Sequence, residues 1–219
     1  MNKTAILIGA TGLIGRALLT QLLADKNYNE VKVITRRTTG VTHAKLTEII
    51  ADFDNLDEAA EAFKGDVLFS TLGTTLKTAG SKDRQYEIDY GINYKAAALS
   101  AKNKVGQLVL LSSAGANSKS TIFYSKMKGE LDEAVAKLGF AQVSIIRPSM
   151  LTGDRKEFRW SEKLFTPIMH ALCWVPGLRK YRPIKDRIVA KAMRNAVVND
   201  TANYTVHEFE GVFHLAKLA

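Results

Sequence analysis

The stretch T-A-I-L-I-G-A-T-G-L-I-G-R-A-L-L (Thr4 to Leu19) constrains the fold more than any other part of the chain. An apolar run from Ala5 to Ile8 reads as a buried strand, and an amphipathic helix follows after Gly9, Gly12 and Gly15. That order sets a glycine turn at the carboxyl end of a strand and opens a helix N-terminus above it. Unpaired N–H groups and the positive end of the helix dipole attract phosphate there. Gly9 suits the tight turn, Gly12 lets the backbone approach a pyrophosphate, and Gly15 lets the helix pack closely on the strand. The spacing is G-x-x-G-x-x-G, and its place between strand and helix is what gives it meaning as a dinucleotide site.

The second strand, about Glu30 to Thr35, decides which dinucleotide to expect. An acidic residue at the end of this strand would accept hydrogen bonds from a ribose 2′-hydroxyl. Here Thr35 is followed by Arg36 and Arg37. Guanidinium groups bind a 2′-phosphate that a carboxylate would repel, so the sequence predicts NADP in preference to NAD. A third strand near Leu46 to Ile50 leads into Asp52 and Phe53, placed either to contact adenine or, for Asp52, to cap the helix beginning around Leu56.

Strand-like runs recur at Val31–Ile34, Val67–Ser70, Leu108–Ser112 and Val143–Ile146. Helical patterns separate most of them, at Leu13–Asp25, Leu56–Phe63, Arg84–Asn103 and Tyr124–Leu138. Strands alternating with helices predict an α/β fold with a doubly wound parallel sheet and right-handed crossovers. The 219 residues fit a single domain: a core over 1–147, then a small, mostly helical C-terminal cap and terminal elements over 148–219. In that tail Phe158, Trp160, Leu164, Phe165, Ile168, Met169, Leu172, Trp174 and Val175 form an apolar series, interrupted at Thr166-Pro167 where two short helices are expected to meet. The series either packs as core, lids an apolar substrate, or makes a dimer or membrane-facing surface. Arg179 to Arg182 reads as a basic loop, Ile184 to Val198 as an amphipathic helix, and Tyr204–Glu208 as a late edge strand.

Hydrophobic residues make up 46% of the chain and charged residues 24%, as in ordinary globular proteins. A single cysteine, Cys173, excludes an internal disulfide, suits a reducing compartment and reads as buried filler. His43, His170, His207 and His214 show no metal-ligand spacing, so no metal is expected. The net charge of +9 is spread along the chain without a nucleic-acid-binding motif. No segment is long and apolar enough to span a bilayer, and no apolar leader precedes the first strand, which predicts a cytoplasmic protein.

The chemistry is expected after the fifth strand. L-V-L-L-S-S-A-G-A brings Ser112 and Ser113 to the carboxyl edge of the sheet, where a nicotinamide would lie. Tyr124 and Lys128 then open a helix four residues apart, on one face. Tyrosine, with an ordinary pKa of about 10, is a poor acid or base at neutral pH, and a neighbouring ammonium favours its phenolate. Lys128 supplies that ammonium and a hold on the nicotinamide ribose, while a serine donates to the substrate oxygen. Strand alternation points the two serines in opposite directions without choosing between them.

Taken together, G-A-T-G-L-I-G, S-T-L-G-T-T (Ser70–Thr75), L-L-S-S-A-G-A with Tyr124 and Lys128-Gly129-Glu130, and I-R-P-S-M-L (Ile146–Leu151) resemble the short-chain dehydrogenase/reductase superfamily in its atypical branch. Within it the chain is similar to the Tat-interacting-protein-like oxidoreductases. The resemblance implies a Rossmann fold, NADP binding and Ser-Tyr-Lys chemistry at Ser113, Tyr124 and Lys128. It implies cofactor contacts from Gly9, Thr11, Gly12, Leu13, Ile14, Gly15, Arg36, Arg37, Leu72, Gly73 and the Arg147-Pro148 turn, to which the placement of Asp52, Phe53, Thr74 and Ser112 adds candidates. Leu72-Gly73-Thr74 stands where classical members carry N-N-A-G, and Asn93 is the candidate for their helix asparagine. The expected activity is hydride transfer between NADPH and a small carbonyl or alcohol, with an apolar aldehyde, ketone or quinone suggested by the aromatic tail. A catalytically silent NADP-binding regulator and a nucleotide-sugar epimerase or dehydratase are the alternatives. No specific nucleic-acid partner is expected, and the chain would act as monomer or homodimer.

Overall fold

The computed structural model describes residues 2–152 and 182–218. Its strands are β1 (Lys3–Ile8), β2 (Tyr28–Thr35), β3 (Leu46–Ile50), β4 (Val67–Ser70), β5 (Gln107–Leu111), β6 (Gln142–Arg147), β7 (Leu151–Thr152), β8 (Ile184–Lys185) and β9 (Tyr204–Glu208). Seven of them form one sheet, all parallel, in the order β3-β2-β1-β4-β5-β6-β9. β7 and β8 pair separately at the edge of the segment 153–181. The aromatic series from Phe158 to Val175, the Thr166-Pro167 junction, Cys173, His170 and the basic stretch up to Tyr181 lie outside the described residues.

The sheet is buried on both faces, and alternation along β1 shows how. Leu7 points into a core shared with Leu18 and Leu22 of α1 (Leu13–Ala24), while Ile6 and Ile8 point to the other side. The first layer also takes Val189 and Met193 of a late helix (Asp186–Asn199) and Leu215 of the terminal helix (Glu210–Lys217). The opposite layer is built from a 3₁₀ helix (Leu56–Phe63), a helix over Asn93–Lys102 and another over Phe123–Val135, packing Phe63, Ala96 and Leu131 on Leu68 and Leu110. Numbered in chain order, the helices are α1, α2 (Leu76–Ala79), α3 (Lys82–Tyr86), α4 (Asn93–Lys102), α5 (Phe123–Val135), α6 (Asp186–Asn199) and α7 (Glu210–Lys217). The strand order reverses between β1 and β4, which opens a crevice at the carboxyl ends of the strands.

Three local differences from the sequence reading have identifiable causes. The helical stretch expected over Arg84–Asn103 is observed, running without a break from Lys82 to Lys102, but it is not α-helical throughout: α3 and α4 flank a π-helical turn over Glu87–Ile92. The turn carries buried polar residues, Asp89 and Asn93, whose partners lie in the neighbouring loop, and a wider turn lets both reach them. Tyr86, Tyr90 and Tyr94 stack along its outer side with centroids 4.9 and 5.8 Å apart. Leu56–Phe63 is a 3₁₀ helix with Asn55 at its N-cap position. Asp52 does not cap it, since its carboxylate accepts the Asp54 N–H at 3.0 Å instead. Finally, α6 starts at Asp186, because Ile184 and Lys185 are extended against β7.

The glycine turn fixes how β1, α1 and the loop after β4 meet. Gly9 sits at φ +82°, and its carbonyl accepts the Gly12 N–H at 2.9 Å. A Cβ at Gly15 would fall on the Gly9 carbonyl and reach Thr71 Oγ1 at 2.8 Å, so the first turn of α1 is in backbone contact with the loop below it. Gly15→Ala is therefore expected to cost about 2–3 kcal/mol of stability, read from the urea midpoint, because no side chain can yield at the clash.

Candidate cofactor cleft and active site

At the carboxyl edge of β1 and β2 lies a cleft of about 270 Å³, lined by Gly9, Thr11, Thr35, Arg36, Arg37, Phe53 and Leu72. Six of these residues were predicted to bind cofactor, and Thr35 joins them because β2 ends there. The cleft opens beside the start of α1. Gly12, at the N-cap position, provides no side-chain cap, and the first turn holds no acid, so nothing on the helix competes with an anion for its N–H groups. Gly12 is exposed, whereas Ile14 and Gly15 are buried under the turn. Phe53 offers an apolar wall, and Asp52 lies exposed beside it. Arg36 and Arg37 are both exposed, and neither guanidinium pairs with a described residue. These features fit a dinucleotide: a phosphate-binding turn, an apolar wall for a base, and cations at the far end.

The loop after β4 forms the next part of the edge, and the π-helical turn holds it. Asp89 is 1% exposed, and its Oδ2 accepts the Thr74 N–H at 2.8 Å. Asn93, equally buried, donates through Nδ2 to the carbonyls of Leu72, Ile88 and Asp89 at 3.3, 3.1 and 3.0 Å, and its Oδ1 accepts the Ser70 hydroxyl. Leu72, Gly73 and Thr74 are thereby tied to one side of the helix.

Tyr124 and Lys128 stand one turn apart at the start of α5, as their spacing predicts. Tyr124 is 39% exposed; Lys128 is buried, and its Nζ sits 6.0 Å from the Tyr124 ring centroid. The same Nζ forms an ion pair with Asp89 Oδ1 at 3.2 Å. Burial works against the ammonium, but Tyr124 and the Asp89 carboxylate outweigh it and hold Lys128 above the usual lysine range. Gly129 allows this placement of α5, since a Cβ there would strike the backbone of Asn117 and Ser118.

The two serines separate as strand alternation requires. Ser112 is buried, and its hydroxyl donates to Asp132 Oδ2 at 2.9 Å. The same oxygen accepts from Arg147 through Nε at 3.0 Å and Nη2 at 2.8 Å. Burial pushes the Asp132 carboxyl up, against Arg147 and the Ser112 hydroxyl, which pull it down. The Ser112 and Arg147 side chains are thus occupied with one buried acid, and the Pro148 carbonyl accepts the Ala114 N–H at 3.1 Å. Ser113 is half-buried, and among the described residues its hydroxyl has only a long 3.5 Å contact to the Ala114 carbonyl. Its hydroxyl is the freer of the pair.

Asp89, which pairs with Lys128 and bonds Thr74, is the buried acid that the sequence reading did not single out. The signal was present: Asp89, Asn93, Ala96 and Ser100 recur at helical spacing and form a buried stripe in which three of the four residues are polar.

Comparison with known proteins bears on the family and the cofactor class. The family described as NAD(P)H-binding matches residues 9–162. The chain is 32% identical over 222 residues to protein HTATIP2 of Rattus norvegicus, covering 99% of this chain and 90% of that protein. It is 40% identical over 160 residues to the mitochondrial protein FMP52 of Candida glabrata, covering 71% of this chain and 67% of that one. Among solved structures it is similar to Bordetella bronchiseptica WbmH in complex with NAD+ (TM-score 0.72, 14% identity, 95% of this chain and 76% of that one). It is also similar to MoeE5 in complex with UDP-glucose and NAD (TM-score 0.71, 14% identity, 97% and 80%). At that identity the likeness concerns the fold. The cytoplasmic location expected above does not stand, because FMP52 relatives are named mitochondrial. The argument from a missing apolar leader addresses secretion only, since mitochondrial transit peptides are amphipathic and basic rather than apolar. From the family match and these relatives, the chain belongs to the NAD(P)H-binding family, as an atypical member of the short-chain dehydrogenase/reductase superfamily.

Proposed function

We propose that the protein is an NADP-dependent oxidoreductase acting on a small carbonyl or alcohol. The observation that carries this reading is the buried, charge-paired Lys128 beneath an exposed Tyr124, on the same sheet edge as the dinucleotide cleft. The turn from Gly9 to Gly12 and the start of α1 would hold the pyrophosphate, Phe53 the adenine, and Arg36 and Arg37 a 2′-phosphate. Lys128 would hold the nicotinamide ribose. When bound, the cofactor supplies or accepts the hydride.

The remaining chemistry belongs to the side chains. Ser113, whose hydroxyl is held only by the long contact to the Ala114 carbonyl among the described residues, would donate to the substrate oxygen. Tyr124, exposed at the start of α5, would give that oxygen its proton during reduction and take it back during oxidation. The Lys128 ammonium stabilises the negative charge that develops on the Tyr124 oxygen, in a site where burial strengthens the interaction. Asp89 keeps the ammonium in place and, through Thr74, fixes it relative to the loop that borders the cofactor. The UDP-sugar complexes among the fold relatives leave an epimerase as the alternative, but exposed arginines at the ribose end favour an exchangeable NADP.

Calorimetric titration is expected to show tighter binding of NADPH than of NADH, with the difference lost in Arg36→Ala/Arg37→Ala; equal affinities in the wild type would refute the phosphate role. In a screen of apolar aldehydes, ketones and quinones, Tyr124→Phe is expected to lower kcat by about 100-fold or more while leaving NADPH affinity intact. Unchanged turnover would remove Tyr124 from the proton path, and a wild type inert to every substrate would favour the silent regulator. Asp89→Ala is expected to destabilise the fold by about 3 kcal/mol, since it strands a buried ammonium. Asp89→Leu combined with Lys128→Met should unfold at higher urea than either single substitution, as a double-mutant cycle would show.

A further inference from the structure

The loop that carries Arg36 and Arg37 is held from the side by one acid, Glu48 of β3, paired across from Val33 of β2. Glu48 Oε1 accepts the Thr39 N–H at 2.9 Å and the Thr39 hydroxyl, and Oε2 accepts the Thr38 hydroxyl at 2.7 Å. Those hydroxyls continue the arrangement: Thr38 Oγ1 accepts the Gly40 N–H at 3.1 Å, and Thr39 Oγ1 accepts the Val41 N–H at 3.2 Å. At the other end of the loop, Thr35 Oγ1 donates to the Arg37 carbonyl at 2.8 Å, and the Thr35 carbonyl accepts the Ala51 N–H at 3.0 Å. The two arginines therefore stand between anchors on both sides.

A carboxylate that binds the loop next to two arginines has a more obvious use, which is to pair with them. It does not: neither arginine is paired with a described residue. Both Glu48 oxygens are taken up by the loop's own donors. The same hydrogen bonds, that of the Thr39 hydroxyl foremost, hold its carboxyl below the usual glutamate range. The outcome is a loop whose backbone is fixed by an acid and whose cations remain available to a ligand.

We infer that Glu48 is a specificity-positioning residue: by binding Thr38 and Thr39 it orders the Arg36–Arg37 loop at the cleft mouth, and so sets the preference for a cofactor bearing a 2′-phosphate. The inference rests on the NADP reading above. Its energetic basis is preorganisation. Without the anchor, the loop must be ordered at the moment of binding, and only a ligand that uses the arginines bears that cost.

The test is titration of NADPH and NADH into the wild type, Glu48→Ala, Glu48→Gln and Arg36→Ala/Arg37→Ala, with thermal melting to confirm folding. Glu48→Ala is expected to weaken NADPH binding by about five- to tenfold, the worth of a few loop hydrogen bonds, with NADH affinity unchanged. Glu48→Gln should recover part of that loss, because its amide oxygen still accepts from Thr39. Amide exchange at Thr39, Gly40 and Val41 should quicken in Glu48→Ala. NADPH binding that is unchanged or tighter in Glu48→Ala overturns the inference, the tighter result meaning that the carboxylate merely repels phosphate. Equal weakening of both cofactors overturns it too, as a general structural effect. A wild type without NADPH preference refutes the cofactor reading itself and the specificity role with it. A wild type that prefers NADPH, alongside a Glu48→Ala variant that keeps the preference, refutes Glu48 alone.

Discussion

The backbone contact between Gly15 and Gly9 is the constraint on which the rest depends. Helix α1 can begin directly above β1 only because no Cβ intervenes at Gly15, and β1 can turn back at Gly9 only through a positive φ. Thr71 closes the same junction, donating from its N–H and its hydroxyl to the Ile8 carbonyl at 3.1 and 2.8 Å. That locks the first strand to the loop after β4, at the point where the strand order reverses. One knot of short contacts thus fixes the helix N-terminus, the floor of the cleft and the entry to the Leu72–Thr74 loop.

From that knot the edge of the sheet divides into two electrostatic regions with opposite designs. At the β2 end the cations are exposed and pair with no described residue, and Glu48 is bonded to the loop. This is suited to an anionic group that arrives from solvent and must pay little desolvation. At the β5 end the charges are buried and paired. Lys128 of α5 pairs with Asp89 of the π-helical turn, and Arg147 at the end of β6 pairs with Asp132 of α5. Removing a partner from such a pair is costly, so these pairs hold geometry. They fix α5 against the π-helical turn and the end of β6 against α5, leaving Tyr124 and Ser113 as the less constrained groups that face outward.

Much of this was legible in the sequence because it follows from local pattern. The β3 and β4 runs were bounded as observed, and β9 appears over Tyr204–Glu208 as an edge strand. The glycine spacing, the double arginine and the Tyr124–Lys128 interval are short-range signals whose context a strand-by-strand reading supplies. What escaped was long-range or geometric. The spacing of Asp89 puts it on a stripe with Asn93, Ala96 and Ser100, but its partners Lys128 and Thr74 are evident only once the fold brings α5 and the loop after β4 beside it. The π-helical turn has no compositional mark, and it arises because Asp89 and Asn93 must both satisfy partners in a loop distant in sequence. Glu48 reads as a solvated strand residue, since its importance comes from a turn that packs back on β3. The location failed for a different reason: no fold or motif encodes it, and only the names of the relatives speak to it.

The central claim is that cofactor and proton donor share one sheet edge in a fixed order, from the arginine pair to Tyr124. A crystal structure of the NADPH complex tests this most directly. The account predicts the 2′-phosphate within hydrogen-bonding distance of Arg36 or Arg37, the pyrophosphate over the start of α1, and the nicotinamide ribose bonded to Lys128, with the ring facing Tyr124 and Ser113. A cofactor whose adenine end lies away from the arginines, or whose ribose leaves Lys128 bonded to Asp89 alone, would contradict it.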